Sequence, residues 1–323
     1  MADLNEIRKP LADEWQRFEA LLDTAFDSPD ALLQSALSHV AKSKGKQLRP
    51  TLTLLSAQVA GQINARTHLA AASFEVLHTA SLLHDDVVDC TDQRRGLPSV
   101  NARYGNQTAV LVGDYLLTKS MGFMSRTESM DLMRCLVELG KDTTRGELLQ
   151  QQNAFTLADE SVYYEIIRLK TASLFAHCAL AGALSVGATP EKVNALQHFG
   201  ENLGICFQIK DDIFDYTPQA NIGKPTLNDL REGKFTLPII QAIKNADETA
   251  KKRIVDIAKN ADEIAENGTW VQQFVLQNGG IDYANEKMDY FRAKALDCLA
   301  IFPENDARNA LAALLDFALE RNN

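Results

Sequence analysis

Two copies of the pattern Asp-Asp-x-x-Asp lie far apart in this chain of 323 residues, each within apolar sequence. Their six carboxylates belong to Asp85, Asp86, Asp89, Asp211, Asp212 and Asp215. Burying ionised carboxylates is unfavourable unless positive charge lies beside them. Oxygen ligands of this kind, together with phosphate groups, are what Mg²⁺ prefers. The pattern therefore predicts a cluster of divalent cations that binds a diphosphate.

The spacing inside each motif indicates how a helix would present these carboxylates. Successive residues of an α-helix are rotated by about 100°, so Asp85 and Asp89 lie on one face and Asp86 lies to the side. Like charges four residues apart destabilise an isolated helix, which makes the arrangement costly without cations. One copy alone is typical of a solvated helix end, whereas two copies, each followed by a basic loop, favour metal binding.

The basic loops form the second part of the pattern. Arg94 and Arg95 follow the first motif, and Lys224 and Lys234 follow the second. Upstream, residues 44–50 form a lysine- and arginine-rich turn that enters a predicted helix. Backbone N–H groups at a helix start and the planar fork of arginine both suit a phosphate. Alone, this turn would be typical of a solvated surface loop, but beside the aspartate motifs it is a candidate second phosphate site that binds without metal.

The elements that must position these residues are helices. Apolar residues of the segment 68–89 recur at spacings of three and four, which predicts one helical face that packs in the core. The same periodicity continues after Asp282 and runs through residues 108–123, 129–152, 162–186, 190–215 and 237–257. Strand signals are sparse, and no linker or repeat stands out. The sequence predicts an all-α bundle, with residues 1–323 as one large domain because the two aspartate motifs must face each other.

Composition narrows the classes of function. The hydrophobic fraction of 46% is ample for a large core, and the net charge of −10 argues against a nucleic-acid partner. The five cysteines are scattered without a Cys-x-x-Cys pair, which is typical of a reducing compartment. The polar N-terminus and the absence of a long apolar run predict neither a signal peptide nor a spanning helix, so we expect a soluble, cytoplasmic protein.

The ordered motifs resemble the trans-isoprenyl diphosphate synthases, and most closely the long-chain branch that includes octaprenyl diphosphate synthases. The resemblance extends from about Leu32 to Ala242. It is carried, in chain order, by Gly45-Lys46-x-x-Arg49-Pro50, His78-Thr79-Ala80-Ser81-Leu82-Leu83-His84-Asp85-Asp86-x-x-Asp89, Arg94-Arg95-Gly96, Gly113-Asp114, Lys170-Thr171-Ala172, Gln208-x-x-Asp211-Asp212-x-x-Asp215 and Gly233-Lys234-x-Thr236-Leu237-Pro238.

This resemblance implies a single helical bundle of the isoprenoid synthase type, with a central deep cavity and a homodimeric assembly. It also implies three Mg²⁺ ions that clamp an allylic diphosphate between the two motifs. The direct ligands would be Asp85, Asp89 and Asp211. The residues that act through a water molecule, or through contacts with the direct ligands, would be Asp86, Asp212 and Asp215.

Further roles follow from the same resemblance. The cations around the allylic diphosphate would be Arg94, Lys170, Lys224 and Lys234. The residues that bind isopentenyl diphosphate would be Lys46, Arg49, His78 and Arg95. The dipoles of Thr171 and Gln208 would stabilise a carbocation, and Lys170 would assist departure of the diphosphate.

The implied reaction is ionisation of the allylic diphosphate, attack by the double bond of isopentenyl diphosphate, and loss of a proton to the released diphosphate. Each cycle adds one five-carbon unit. Chain length in such proteins is limited by bulky residues upstream of the first motif, where this chain has the small Ala80 and Ser81. The tunnel would then be closed further along by Met121, Phe123 or Met124. We expect a product near octaprenyl diphosphate, made from farnesyl diphosphate.

Other readings stay open at this point. One is a synthase of shorter products, from geranylgeranyl to heptaprenyl, and another is one subunit of a heteromeric synthase. A metal phosphohydrolase or a class I terpene cyclase would share His84-Asp85 or the first motif, but each would leave the second motif or the turn at residues 44–50 without a role. Release of an insoluble product also suggests a peripheral membrane contact.

Overall fold

A computed structural model of the chain describes residues 3–43, 45–157, 159–217 and 226–320. Its N-terminal helices are α1 (Leu4–Arg8), α2 (Ala12–Asp23), α3 (Ala31–Lys42), α4 (Leu48–Ala60), α5 (Ala65–Val88) and α6 (Val100–Tyr104). The central helices are α7 (Asn106–Ser125), α8 (Met130–Gln152), α9 (Glu160–Ile167), α10 (Ser173–Ser185) and α11 (Pro190–Tyr216). The C-terminal helices are α12 (Asn228–Arg231), α13 (Leu237–Asn245), α14 (Glu248–Ala258), α15 (Ala261–Gln277), α16 (Gly280–Cys298) and α17 (Asp306–Glu320).

Shorter elements connect these helices. Turns of 3₁₀-helix occur at Lys9–Leu11 and Thr24–Phe26, and a π-helical turn at Arg168–Ala172 joins α9 to α10. The strands β1 (Gln93–Arg94) and β2 (Leu97–Pro98) pair antiparallel in a small hairpin. The predicted all-α class is confirmed, and this hairpin is the detail that the sparse strand signals did not predict.

Helix α10 lies at the centre of the bundle. Nearly all of its residues are buried, because α4, α5, α8 and α11 pack around it. Two glycines allow close approach of the neighbouring backbones. A Cβ on Gly182 would lie 2.3 Å from the carbonyl oxygen of Thr53, and one on Gly200 would lie 2.4 Å from that of Phe175. The core therefore holds α4, α10 and α11 at distances that only glycine permits at these contacts.

The two longest helices are fixed at their starts by local sequence. Asn64 caps α5, accepting from the N–H of Arg66, and Thr67 completes a reciprocal capping box. Helix α11 begins with Pro190, which is preorganised for the first helical position. Each helix then runs to an aspartate motif at its C-terminal end, so the core that packs α5 and α11 also positions the two motifs.

A second hydrophobic cluster lies beside the main core. It is formed chiefly by α13, α14 and α15, with Tyr216 at the end of α11 contributing to it. Phe235 and Ile281 pack against both clusters. This smaller core supports the loop that carries Lys234, next to the second motif. A single domain over residues 1–323 stays a prediction.

Two predicted helical segments are interrupted in the structure. Residues 237–257 form α13 and α14 rather than one helix, because Ala246 has an extended backbone (φ −78°, ψ 161°). Residues 162–186 form α9 and α10 with the π turn between them. In the described ranges, no helix is both long and apolar enough to cross a membrane. All five cysteines are free thiols.

Candidate active site

Helices α5 and α11 present the two aspartate motifs at their C-terminal ends. Asp85 and Asp86 lie in the last turn of α5, and Asp89 follows as its C-cap, with its N–H donating to the carbonyl of Asp85 at 2.8 Å. The second motif occupies the last turns of α11. The middle aspartate of each motif is almost fully buried: Asp86 is 2% exposed and Asp212 is 1% exposed. Each buried carboxylate therefore needs partners within the protein.

The partner of Asp86 is Arg94. Its Nε and Nη2 donate to the same carboxylate oxygen at 2.7 and 2.6 Å. Arg94 is the last residue of β1, so the small hairpin turns this guanidinium back towards the end of α5. The ion pair neutralises the buried carboxylate and places a predicted diphosphate-binding cation beside the first motif.

Asp212 accepts two hydrogen bonds, one on each oxygen. The hydroxyl of Tyr163 donates at 2.6 Å and the side-chain amide of Gln208 donates at 2.9 Å. The carbonyl oxygen of the same Gln208 amide accepts from the hydroxyl of Thr171 at 2.8 Å. Burial, followed by the charge of Asp212, raises the pKa of Tyr163 well above its usual value, so the phenol keeps its proton and remains a donor. A continuous chain of hydrogen bonds thus links the second motif to Thr171.

Asp215 holds the loop that follows it. Its two oxygens accept from the backbone N–H groups of Asn228 and Asp229, at 2.9 and 3.1 Å, at the start of the short helix α12. Asp229 is buried against this carboxylate. Burial, followed by the charge of Asp215, raises the pKa of Asp229 to about 7. The backbone of Asp229 in turn accepts from the N–H of Lys234 at 2.7 Å, which fixes the Lys234 loop to the second motif.

Asp85 and Asp89 differ from these three carboxylates. Among the described residues, neither carboxylate makes a hydrogen bond or a salt bridge, and burial raises the pKa of both above the usual value. Within those residues no three His, Cys, Asp or Glu side chains are gathered as a metal site requires. The donor set nevertheless fits Mg²⁺, because it consists of carboxylate oxygens without sulfur or imidazole.

Three predicted diphosphate-binding cations already have carboxylate partners. Lys170 contacts Glu147, with 2.5 Å between Nζ and Oε2. Lys234 pairs with Glu232, as Arg94 does with Asp86. The fourth predicted cation, Lys224, lies outside the described residues. A diphosphate that reaches these side chains would therefore exchange one set of oxygen partners for another.

The predicted isopentenyl diphosphate residues lie around the turn before α4. Arg95 donates to the carbonyl of Ser43, and a Cβ on Gly45 would lie 2.6 Å from its guanidinium, so a side chain at this position would displace Arg95. The guanidinium of Arg49 lies over the ring of Phe175, 5.0 Å from its centroid, and Lys46 is exposed. Burial, followed by the charges of Arg49 and Arg95, lowers the pKa of His78 well below its usual value. At neutral pH this imidazole is therefore uncharged.

Two cavities are lined by these groups. One of about 170 Å³ is lined on its polar side by Lys170, Thr171, Gln208, Asp212, Asp229 and Lys234. A smaller one of about 60 Å³ is lined on its polar side by Gly45, Gln47, Glu75, Thr79, Asp86, Arg94 and Arg95. The first contains the predicted catalytic residues and the second contains part of the predicted isopentenyl site.

The five chain-length candidates are placed differently from one another. Ala80, Phe123 and Met124 are buried, whereas Ser81 is exposed and Met121 is 49% exposed. As formed by the described residues, neither of the two cavities has any of the five in its lining. Their role in product length stays a prediction.

Four acids and phenols of this site were missed at the sequence level: Tyr163, Glu75, Glu147 and Glu232. Tyr163 precedes Lys170 by seven residues, close to two helical turns, and this spacing could have pointed to it. Glu232 lies between Arg231 and Lys234, and the loop was interpreted from its basic residues alone. Glu147 contacts the site through packing of a distant segment, and local sequence gives no sign of that. Glu75 lies on α5, one helical turn before His78, and this spacing could have pointed to it.

An all-α bundle that carries two Asp-Asp-x-x-Asp motifs at the ends of α5 and α11, beside paired cations, is the arrangement expected of the all-α prenyltransferases. The sequence profile described as polyprenyl synthetase matches residues 30–273. The chain belongs to this family, and it is an enzyme of the trans-prenyltransferase type.

Similar proteins cover nearly the whole chain. The all-trans-nonaprenyl-diphosphate synthase (geranyl-diphosphate specific) of Rhodobacter capsulatus is 36% identical, over 98% of this chain and 97% of its own. The octaprenyl diphosphate synthase of Haemophilus influenzae is 32% identical, over 100% and 98%.

Solved structures agree with this assignment. A polyprenyl synthase from Caulobacter crescentus, complexed with calcium and isoprenyl diphosphate, has a TM-score of 0.91 and 33% identity, over 99% of this chain and 98% of its own. A geranylgeranyl pyrophosphate synthase from Bacteroides thetaiotaomicron has a TM-score of 0.84 and 40% identity, over 98% of both chains. The similar proteins therefore differ in the length of the product for which they are named.

Proposed function

We propose that this enzyme condenses isopentenyl diphosphate repeatedly, head to tail, onto an allylic diphosphate and releases an all-trans product near octaprenyl diphosphate. The observation that carries the proposal is the cavity in which Lys170, Thr171 and Gln208 lie beside Asp212 of the second motif. The similarity to polyprenyl diphosphate synthases over the full chain supports the same reaction class.

The metal-binding residues in this proposal are the six motif aspartates. When bound, Mg²⁺ would neutralise and polarise the departing diphosphate, as a Lewis acid does at phosphoryl oxygens. The carboxylates of Asp85 and Asp89 make no hydrogen bond or salt bridge within the described part of the chain, which supports their role as direct ligands. Asp211 is proposed as the third direct ligand from its place in the second motif. Asp86, Asp212 and Asp215 already accept bonds from protein donors, which supports a role behind the direct ligands.

The protein's own cations bind and orient the allylic diphosphate. Lys170, Lys234 and Arg94 would leave or share their carboxylate partners when the diphosphate arrives, and Lys224 would join them. Because these pairs keep the cations near the cavity beforehand, little rearrangement is needed to meet the charge that develops as the C–O bond breaks.

The carbocation would then face Thr171 and Gln208. The hydrogen bond from the Thr171 hydroxyl to the Gln208 carbonyl oxygen orients both dipoles with oxygen near the cavity. Oxygen lone pairs directed at a cation stabilise it without forming a bond. Uncharged His78, with Lys46, Arg49 and Arg95, would hold isopentenyl diphosphate so that its double bond attacks the cation. The released diphosphate would accept the proton.

Product length is the finer part of this proposal. The small Ala80, buried near the end of α5, supports a product longer than that of enzymes with a bulky residue there. Buried Phe123 and Met124 on α7 would limit elongation. A shorter product, from geranylgeranyl to heptaprenyl, is the second candidate, favoured by the 40% identity to a geranylgeranyl pyrophosphate synthase.

Assembly is also part of the proposal. Large exposed apolar side chains occur on the neighbouring helices α7 and α8: Val110, Leu111, Met121, Met130, Val137 and Leu148. Exposed apolar side chains gathered on two neighbouring helices favour a contact between proteins there. We propose that this α7–α8 face forms a homodimer. We also propose that a transient membrane contact removes the product. The free cysteines support a reducing compartment, which we propose is the cytoplasm.

The test is condensation of radiolabelled isopentenyl diphosphate with farnesyl diphosphate and Mg²⁺ by the purified chain, with products separated by length. Asp85→Asn should lower kcat by at least about 100-fold, as loss of a group that stabilises a transition state does. Asp289→Asn, an exposed acid on α16, is the matched control and should keep full activity.

Each outcome separates the alternatives. A main product of about eight units supports the proposal as stated, and Met124→Ala should then lengthen it. A shorter main product would support the proposed condensation reaction and contradict the proposed product length. No incorporation by the chain alone, with activity restored by a second subunit, favours a heteromeric synthase. No incorporation under any condition overturns the proposed function.

A further inference from the structure

Arg8 of α1 reaches the turn that precedes α4. Its Nη2 donates to the carbonyl oxygens of Lys46 and Gln47, at 2.6 and 3.2 Å, and its Nε donates to the hydroxyl of Thr51 at 2.9 Å. Arg8 lies outside residues 30–273, the part of the chain that matches the family profile. One side chain from outside that part therefore binds three acceptors of the predicted isopentenyl diphosphate turn.

The guanidinium is itself held firmly. It lies over the ring of Trp15, 3.8 Å from the centroid, and α1 packs against the C-terminal helix α17. Burial lowers the pKa of Arg8 to about 10, partly offset by Glu19 and Glu75, so the side chain is still charged at neutral pH. A charged, planar donor in a fixed place sets the orientation of the groups that accept from it.

The turn needs such a support. Gln47 has a left-handed backbone (φ 50°), and α4 begins at Leu48 without a hydrogen bond from a capping side chain. The carbonyl of Gln47 accepts from Arg8 and also from the hydroxyl of Thr51, at 2.8 Å. These bonds stabilise a conformation that a residue other than glycine adopts rarely.

Holding these carbonyls has a consequence on the opposite side of the chain. In a planar trans peptide the N–H points away from the carbonyl of the preceding residue. When Arg8 binds the oxygens of Lys46 and Gln47, the N–H groups of Gln47 and Leu48 point away from Arg8. Gly45 and Gln47 line the smaller cavity, beside Arg95. Backbone N–H groups at the start of a helix are donors suited to phosphate.

We propose that Arg8 is a positioning residue for isopentenyl diphosphate, which holds the turn at Lys46 and Gln47 in the conformation that binds the diphosphate group. The proposal rests on the function proposed above, and it assigns to Arg8 no contact with either substrate. Its removal should therefore weaken binding of isopentenyl diphosphate and leave binding of the allylic diphosphate unchanged.

The experiment is calorimetric titration of the full chain with isopentenyl diphosphate, without Mg²⁺ and without allylic substrate. Arg8→Met keeps an unbranched side chain but removes the donors, and it should raise the Kd about tenfold, or about 1.4 kcal/mol. Arg17→Met, which removes an exposed arginine of α2 that pairs with Glu14, is the matched control and should bind as the wild type does.

Two further variants separate positioning from charge and from misfolding. Arg8→Lys keeps the charge and loses the fork, so weak binding should persist, whereas full recovery would overturn the proposal in favour of a charge effect. Thr51→Val keeps the shape of a buried side chain and removes one acceptor of Arg8. It should raise the Kd by about threefold even if Arg8→Met does not fold.

Steady-state kinetics complete the test. In Arg8→Met, KM for isopentenyl diphosphate should rise about tenfold, while KM for the allylic substrate and kcat change less than about twofold. An equal loss in both KM values and kcat would show a general structural effect and overturn the proposal. If the wild type binds isopentenyl diphosphate but does not condense it, the proposed function fails and the Kd ratio still decides the role of Arg8. Absence of binding by the wild type would overturn both.

Discussion

The motif aspartates lie in different surroundings although the two motifs have the same sequence pattern. Asp86, Asp212 and Asp215 accept from an arginine, a phenol with an amide, and two backbone N–H groups, respectively. Helical spacing alone separates the middle residue of each motif from its neighbours, which is why Asp86 and Asp212 point into the protein. Arg94 and Gln208 are near their motifs in the sequence and were predicted as site residues, whereas Tyr163 comes from a distant segment and was not.

Tyr163 offers the clearest test at this scale. Tyr163→Phe removes the hydrogen bond to Asp212 and leaves the ring in place, so Asp212 and Gln208 lose their fixed orientation. Because a hydrogen bond to a charged group contributes about 1.5–3 kcal/mol, kcat should fall about tenfold or more, and the Mg²⁺ concentration for half-maximal rate should rise.

Tyr164→Phe is the control for this prediction. Tyr164 is the adjacent residue of α9, and its buried hydroxyl has no hydrogen-bond partner in the described part of the chain. Steady-state rates across a Mg²⁺ titration should show wild-type behaviour for Tyr164→Phe. Equal effects of the two variants would mean that the ring environment, and not the bond to Asp212, matters.

At the scale of elements, α10 is enclosed by four helices, and glycines set two of its contacts. Gly182 lies against α4, and Gly200 of α11 lies against the backbone of α10. Helices approach this closely only where one of them has no side chain in the way. Since Lys170 and Thr171 immediately precede α10 and Gln208 lies on α11, the α10–α11 contact also sets the distance between the catalytic dipoles.

Substitution of Gly200 should therefore affect stability and activity together. In Gly200→Ala the new methyl group would meet the carbonyl oxygen of Phe175 at 2.4 Å, and overpacking of this kind costs about 1–3 kcal/mol. Thermal unfolding should show a lower Tm. Gly268→Ala in α15, whose methyl group would meet only Leu227 at 3.5 Å, should instead be neutral or stabilise the protein. A Tm of Gly200→Ala at or above that of the wild type would contradict the close contact.

The sequence predicted the helices better than their interruptions. Apolar periodicity gave α5, α7, α8 and α11 almost within their observed bounds, since a long amphipathic pattern outweighs local preferences. It did not predict the break at Ala246, because the residues on both sides continue the helical pattern. The helices α13 and α14 that result both pack in the second hydrophobic cluster. Nor did it give the hairpin, where the ion pair between Arg94 and Asp86 holds four residues that have little intrinsic strand preference.

On the scale of the whole molecule, exposed apolar surface is unevenly distributed. Six large apolar side chains of the α7–α8 face are exposed, and neither helix contributes a residue to the second hydrophobic cluster. This concentration on two adjacent helices supports a protein contact there more than scattered exposure would.

Charge substitution tests the α7–α8 face as a dimer contact. Met121→Glu places a carboxylate in a contact that should be dry, so light scattering should show the wild type as a dimer and the variant as largely monomeric. Leu276→Glu on α15, where the leucine is 61% exposed, is the control and should leave the mass unchanged. A dimer that persists in Met121→Glu would show that the dimer contact does not include Met121.

The π turn at Arg168–Ala172 has a consequence for how the protein tolerates insertions and deletions. A π turn contains one residue more than an α turn, so deletion of one residue there would leave a continuous α-helix able to fold. Because the π turn accommodates its extra residue within one turn, the residues upstream of the deletion would keep nearly the same rotation relative to α10. Tyr163 would still face Asp212, whereas Lys170 and Thr171 inside the turn would be displaced, so such a deletion should impair the site more than the fold.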